Sequence, residues 1–171
     1  MTLTLLLNEQ EFKDLTPPSN QVNKELIVKK IIDAQYQYLR PILGCDLFDE
    51  LLLQKSTNTL TPDNLILMDE LKLTLANYSL YLYLPWSRIA IREQGTITKS
   101  GEYGSVVDQP DLKDLRADTM ANATNYRIIL QRFLCLNSTL YPLYKHCSEC
   151  GSGCTISNVK SIKGGNTFFS V

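Results

Sequence analysis

The sequence has little of what catalytic and nucleic-acid-binding sites usually require. Histidine occurs once, as His146, so a Ser-His-Asp or Cys-His site would have to use that single imidazole beside a glycine-rich segment. No Gly-x-x-x-x-Gly-Lys-Ser/Thr loop for binding phosphate is present. Lys and Arg total 17 and Asp and Glu total 18, so the basic excess of a non-specific nucleic-acid binder is missing. We therefore expect a protein that is not an enzyme and uses no cofactor.

Long hydrophobic runs are also absent. The most apolar stretch, residues 73–84, falls short of the roughly 20 residues that a membrane-spanning helix needs, and charged residues precede it. It is typical of a buried core helix, so no membrane partner is expected. The apolar run that begins the sequence has no basic residue before it, which argues against a secretory signal. We expect synthesis in a reducing, intracellular compartment.

The composition is that of one folded domain. The chain has 171 residues, of which 44% are apolar, enough for a single core. Apolar residues recur at helical spacing, which predicts a mainly α fold: a bundle of about four main helices with extended terminal arms. We assign residues 1–146 to the helical domain, with an N-terminal arm at 1–19, and residues 147–171 to a Cys- and Gly-rich C-terminal tail.

Residues 31–52 form the stretch around which the helices are arranged. A helix capped by Asn20 is predicted to break at Pro41, because proline has no amide hydrogen and disfavours helix at the preceding residue. Gly44 allows the chain to turn, and Asp46 is the expected cap of the next helix. The pattern predicts a rigid corner between two helices.

A long helix follows the corner. Thr61 and Pro62 open it as N-cap and first helical residue. Its apolar pattern, residues 65–84, is broad enough for contacts on more than one side. Pro85 is predicted to kink or interrupt this helix, and residues 86–93 to resume it.

The last helix is predicted to begin at Pro110 or Asp111 and to end near Asn137. Its buried face should follow three- and four-residue steps through Leu112, Leu115, Thr119, Ala123, Tyr126, Leu130 and Phe133. Tyrosines in the earlier helices fall in similar stripes, so packing in a core or a subunit interface explains them better than base stacking.

Residues 94–109 differ from the helical segments. They contain three glycines and short runs of Thr, Ile and Val. A β-hairpin with a turn near Ser100 and Gly101 is one interpretation, and a flexible surface loop has equal weight. The insertion is longer than the usual connection of about four to six residues, and long loops on rigid scaffolds often contact partners.

Cysteines cluster near the C-terminus. Cys147 and Cys150 form a Cys-x-x-Cys pair, and Cys154 follows. Three thiolates at this spacing are weak candidates for ligands of a tetrahedral metal ion. The fourth ligand is missing, because His146 is adjacent to Cys147 and neighbouring side chains seldom reach the same small ion. Zinc binding, an unpaired thiol cluster, and a redox or disulfide role remain open, so no metal is assigned.

A string of residues from the arm through the corner resembles a known family. In it, Leu-Thr-Pro is followed by a helix with a Gln and then by Leu-x-Pro-x-Leu-Gly-x-x-Leu-Phe. Here the string comprises Leu15, Thr16, Pro17, Gln35, Leu39, Pro41, Leu43, Gly44, Leu47, Phe48 and Leu51. On these residues the chain resembles head–tail connector proteins of tailed bacteriophages, which are neck-ring or head-completion adaptors. The likeness is closest to the type found in crAss-like phages.

The resemblance implies a mostly helical adaptor without catalytic activity. Such proteins form a homo-oligomeric ring, typically a dodecamer, below the portal protein. The ring extends the DNA channel, so viral DNA passes without sequence-specific binding, and it docks the next neck or tail protein. The resemblance thus implies a place in the virion, at the head–tail neck, after synthesis in the cytoplasm of the bacterial host. The C-terminal tail is not part of the recognised string.

A second hypothesis is a small zinc-containing regulatory or interaction protein that uses the C-terminal cysteine cluster. It predicts bound metal and a basic recognition surface, for which only Lys145, Lys160 and Lys163 lie near the cluster in sequence. An enzyme of another type is a third hypothesis, and no motif supports it.

Overall fold

The computed structural model describes residues 3–17, 23–87, 89–92, 95–98 and 109–144. Within these ranges the chain is mainly helical, which confirms the predicted fold class. In chain order the elements are α1 (Glu9–Leu15), α2 (Lys24–Ala34), a π-helical stretch (Gln35–Leu39), α3 (Arg40–Leu43), α4 (Cys45–Thr57), α5 (Pro62–Ser87), β1 (Ile89–Arg92), β2 (Gly95–Thr98) and α6 (Gln109–Leu136).

Helix α5 lies at the centre of the fold. It packs against α2, the π-helical stretch and α6, and buried side chains occur on more than one side of it, as the broad apolar pattern predicted. Its start is also as predicted: the hydroxyl of Thr61 accepts a hydrogen bond from the Asn64 amide at 3.3 Å, and Pro62 is the first helical residue. The remaining helices are therefore arranged around one buried helix.

The helix that precedes the corner does not break at Pro41, so that prediction is wrong. Helices α2 and α3 are joined through the π-helical stretch into one continuous helix from Lys24 to Leu43. The Arg40 amide donates to the Gln35 carbonyl, five residues back, which is the π-helical pattern. Pro41 therefore lies in the first turn of α3, where a missing amide hydrogen is tolerated.

The corner itself is at Gly44, as predicted. Its backbone angles, φ 81° and ψ 155°, lie in a region that is essentially closed to residues with a side chain. The Gly44 carbonyl accepts from the Phe48 amide at 3.1 Å, so Gly44 is the N-cap of α4. Asp46 lies in the first turn instead of at the cap, because the turn at Gly44 puts Cys45 directly into helical geometry.

Apolar side chains on both sides of this corner enter one core. The apolar members of the family-like string from the π-helical stretch to α4 are at most 3% exposed. They are Leu39, Leu43, Leu47, Phe48 and Leu51. The string is thus explained by packing of the corner against the rest of the domain.

The prediction that a helix resumes over residues 86–93 is wrong for residues 89–92, which form β1. Helix α5 continues past Pro85 only to Ser87, and β1 then pairs antiparallel with β2, with Arg92 opposite Gly95. β-Branched residues favour strands: β1 contains two isoleucines, and β2 contains Thr-Ile-Thr. This hairpin is not the one predicted within residues 94–109, because β2 pairs with the residues before it. The predicted turn near Ser100 and Gly101 lies outside the described residues.

The described part of the N-terminal arm packs on the core. Leu6 and Leu7 are fully buried, and the short helix α1 follows with Phe12 buried. A reciprocal capping box starts α1: the Asn8 side chain accepts from the Glu11 amide, and the Glu11 carboxylate accepts from the Asn8 amide. Asn23 caps α2, whereas the predicted cap, Asn20, lies outside the described residues.

The Glu11 carboxylate also links α1 to α5. It lies 3.1 Å from the Nζ of Lys72, which α5 carries. Partial burial raises the pKa of the Glu11 carboxyl, but the hydrogen bond from the Asn8 amide and the charge of Lys72 outweigh it. The resulting pKa lies below its ordinary value of 4.5, so the folded chain favours the ionised form.

We expect Glu11→Gln to lower the free energy of unfolding by up to about 1 kcal/mol at neutral pH, because the variant loses the charge that faces Lys72 while the Gln amide still accepts from Asn8. A carboxyl whose pKa is lowered in the folded state stabilises fully above its unfolded pKa, and this contribution is lost as the pH falls through the folded pKa. Urea unfolding should therefore show a difference between variant and wild type that shrinks below pH 4.5. Glu70→Gln, at an exposed site on α5, is the control. A difference that persists at low pH would contradict the assignment.

Candidate functional site

The described residues contain no group of three or more His, Cys, Asp or Glu side chains that could hold a metal ion. The candidate ligands Cys147, Cys150 and Cys154, and the neighbouring His146, lie outside the described residues. Zinc binding at these cysteines therefore stays a prediction. Three other features stand out among the described residues: the hydrogen bonds that hold the N-terminal arm, a cleft beside the corner, and an exposed row of apolar side chains.

The side chain of Gln35 holds the N-terminal arm through two hydrogen bonds. This side chain is fully buried within the π-helical stretch. The Leu6 amide donates to Gln35 Oε1 at 2.9 Å, and Gln35 Nε2 donates to the Thr4 carbonyl at 3.0 Å. The amide side chain thus gives the extended arm the donor and acceptor that a neighbouring strand would give it. The described part of the arm therefore packs on the core of its own chain, through Leu6, Leu7 and Phe12.

Aromatic side chains fill the junction between the π-helical stretch and the two long helices. Tyr38 stacks on Tyr78, with ring centroids 4.3 Å apart and ring planes at 7°. Tyr81 meets Tyr38 edge-on at 6.5 Å. Arg116 of α6 lies 4.4 Å from the Tyr81 ring centroid and donates to its hydroxyl at 3.0 Å. These contacts confirm the prediction that the tyrosines pack within the fold.

A cleft of about 250 Å³ opens beside the corner, between the π-helical stretch with α3 and the C-terminal half of α6. The buried side chains of Ile42 and Tyr78 lie at its base. Exposed Gln37 and Arg127 lie on opposite walls. The full lining comprises Gln37, Tyr38, Pro41, Ile42, Tyr78, Arg127 and Gln131.

An exposed row of apolar side chains runs along α6. Leu115, Ile129 and Leu136 are 49%, 55% and 72% exposed. They share a seven-residue spacing, with exposed Asn122 at the remaining position, so they lie on one face of the helix. At a rise of about 1.5 Å per residue, the row extends for about 30 Å. We name these three side chains the α6 row.

The turn after α6 is held against the start of α5. The Tyr141 hydroxyl donates to the Asp63 carbonyl at 2.7 Å, and the Tyr141 side chain is buried. Leu140 and Leu143 on the same turn are 50% and 39% exposed. Exposed leucines therefore continue from the helix into an anchored turn.

The predicted buried face of α6 is correct in part. Thr119, Ala123 and Leu130 are buried, but Leu115 is half-exposed. The sequence pattern combined two neighbouring faces, because three- and four-residue steps along a long helix move gradually around its axis. The exposed position of Ile129 was missed for the same reason.

Comparison with known families gives one match over most of the chain. A family model described as a family of unknown function, DUF6712, matches residues 39–154. The match begins within the π-helical stretch and ends at Cys154, so it includes the corner, α5, α6 and the cysteine cluster. Gln35 and the N-terminal arm precede it. No curated protein and no solved structure matches the chain. Among the described residues, no helix is long and apolar enough to cross a membrane.

Proposed function

The chain belongs to DUF6712, a family of unknown function, and we propose that it is a structural virion protein, a head–tail connector. In this proposal, copies of the chain form a ring below the portal protein, typically a dodecamer. The ring extends the DNA channel and docks the next neck or tail component. Viral DNA passes through without being read in sequence.

The family-like string supports the proposal because its residues have structural roles that such an adaptor needs. Gln35 fixes the arm, Pro41 lies in the first turn of α3, and Gly44 turns the chain. Five apolar members of the string are buried around the same corner: Leu39, Leu43, Leu47, Phe48 and Leu51. These roles give a rigid frame, which a ring requires if each copy is to meet its neighbours in the same geometry.

The α6 row is the observation that carries the proposal. Its three side chains are between 49% and 72% exposed, and they lie on one face of a 28-residue helix. Exposed apolar side chains on one face of a helix favour association with another protein surface, because full burial would stabilise each by about 1.5–3 kcal/mol. In a closed ring, each copy would bury this row against a different surface of its neighbour.

The proposal is tested by mass spectrometry of purified phage particles from cells that express this chain, together with electron microscopy of the particle neck. We expect the protein in mature particles at a fixed copy number, and a ring between head and tail. Its absence from particles would overturn the proposal. A monomer in solution that assembles only on the portal remains consistent with it.

Variants in the α6 row provide the matched comparison for this test. We expect the double substitution Ile129→Ser and Leu136→Ser to block incorporation into particles while circular dichroism shows an unchanged helical content. Leu53→Ser is the control, since Leu53 on α4 is 59% exposed and outside the row. Equal incorporation of both variants would remove α6 as the assembly surface.

A further inference from the structure

The cleft beside the corner carries one positive charge. Among its lining residues, Arg127 alone is charged, and no carboxylate lines the cleft. Arg127 and Tyr78 line the same cleft. Burial raises the pKa of the Tyr78 phenol, and the positive charge of Arg127 opposes that rise. Within residues 3–17, 23–87 and 109–144, no carboxylate forms an ion pair with Arg127. A guanidinium in this position is suited to a ligand that supplies a negative charge.

The other polar side chains that line the cleft are uncharged: two glutamines and two tyrosines. Gln37 of the π-helical stretch and Gln131 of α6 line the cleft together with Arg127. A side-chain amide both donates and accepts, so each can bond a carboxylate or the backbone of a peptide. Pro41 and Ile42 supply apolar contact for the methylene groups of a ligand.

Size and charge narrow the class of ligand. The volume of about 250 Å³ is below the range of about 300–1,000 Å³ that is typical of cofactor and drug-sized sites. It is large enough for a side chain with its flanking backbone. One guanidinium balances the single charge of a carboxylate, whereas a phosphate monoester carries about 1.5–2 charges at neutral pH. A lone cation is also a poor site for the nucleic-acid backbone, which several Lys and Arg normally contact.

We propose that the cleft binds an acidic side chain presented by an extended segment of another protein. The carboxylate meets Arg127, the adjoining peptide backbone meets the amide of Gln37, and the methylene groups lie on Pro41 and Ile42. The inference goes beyond the connector proposal and does not rest on it, since any partner with such a segment would fit the cleft.

The test uses the full-length protein, isotope-labelled for NMR, and the peptide acetyl-Ala-Glu-Ala-amide as probe. The matched probe is acetyl-Ala-Gln-Ala-amide, which has the same shape and no charge. We expect the Glu peptide to shift the side-chain signals of Arg127 and Gln37 in a saturable manner. The Gln peptide should bind at least about tenfold more weakly, as expected when a charged hydrogen bond is lost. Added salt should weaken binding of the Glu peptide.

Two substitutions on α6 separate the site from general surface charge. Arg127→Gln is expected to abolish the preference for the Glu peptide, and Arg127→Lys to reduce it, because lysine keeps the charge without the planar fork. Arg132→Gln is the control, since Arg132 is exposed on the same helix and does not line the cleft. Circular dichroism checks that each variant folds.

Several results would overturn the proposal. They are the absence of a saturable shift, equal binding of the two peptides, an equal loss in Arg127→Gln and Arg132→Gln, and tighter binding of inorganic phosphate than of the Glu peptide. None of these outcomes bears on whether the protein is present in phage particles, so failure of the cleft and failure of the connector proposal are distinguishable.

Discussion

Replacing Gln35 with alanine is expected to lower the free energy of unfolding by about 3 kcal/mol, the largest effect that we predict for a polar side chain here. The substitution removes both hydrogen bonds that hold the arm, from the Leu6 amide at 2.9 Å and to the Thr4 carbonyl at 3.0 Å. Each backbone group left without a partner in a buried position costs about 1–3 kcal/mol. Chemical unfolding followed by circular dichroism measures the loss.

A neighbouring glutamine provides the control for this prediction. Gln37 lies in the same π-helical stretch but is exposed, so Gln37→Ala should change the free energy of unfolding by no more than about 0.5 kcal/mol. Gln35→Glu tests the direction of the bonds, since a carboxylate can accept from Leu6 but cannot donate to Thr4. We expect a loss for this variant close to that of alanine at neutral pH.

Hydrogen exchange locates the effect on the arm. In the wild type, the Leu6 amide should exchange slowly, because it donates to a fully buried acceptor. In Gln35→Ala it should exchange far faster, while amides in α5 lose only the protection that follows from lower global stability. Unchanged protection of Leu6 in the variant would show that the buried leucines, not Gln35, hold the arm.

Replacing Gly44 with alanine is expected to cost about 3 kcal/mol. At φ 81° and ψ 155° a Cβ atom collides with the backbone, and Gly44 is also buried, so the chain cannot relax into solvent. The variant must distort the corner between α3 and α4, which carries five nearly unexposed apolar side chains of the core. Thermal and urea unfolding should both show the loss.

Asn58 is the matched comparison for Gly44. It ends α4 with φ 55° and ψ 40°, the left-handed helical region that asparagine tolerates. Asn58→Ala should cost no more than about 1 kcal/mol, and Asn58→Gly should be close to neutral. If Gly44→Ala proved as mild as Asn58→Ala, the corner would be more adaptable than its backbone angles imply.

The sequence predicted those features that depend on local chemistry. Thr61 and Pro62 open α5 as expected, since both act through their own backbone position. Gly44 was identified as the turn because few residues other than glycine adopt its backbone angles. The mainly α class follows from apolar spacing that persists over several turns.

The errors arise where distant residues decide the outcome. Pro41 was expected to end a helix, but the π-helical stretch before it shifts the hydrogen-bond pattern. That stretch contains Gln35, which accepts a hydrogen bond from Leu6 of the arm, 29 residues earlier in the chain. No local signal in the sequence reveals this contact. The position of the hairpin was also predicted wrongly. Helix α5 ends at Ser87, two residues after Pro85, and β1 begins at Ile89.

The candidate sites were less predictable than the fold. The α6 row was partly assigned to the core, because its residues obey the same steps as the buried face and only packing distinguishes the two faces. The cleft joins Gln37 to Arg127 across a large sequence separation, so it requires the tertiary arrangement. The cysteine cluster was visible in the sequence, and its role stays a prediction.

The hydrogen bond from Tyr141 to the Asp63 carbonyl has a consequence for how this family could diversify. This hydrogen bond joins the start of α5 to the turn that follows α6. Residues 88–108 connect the end of α5 to the start of α6, at the opposite end of the helix pair. The alignment of α5 with α6 therefore does not depend on the length of that connection. In general, doubling the length of a connection costs only about 0.6 kcal/mol in closure entropy. Related chains are thus free to lengthen, shorten or replace this segment, and so to acquire new contacts, while the two central helices keep their register.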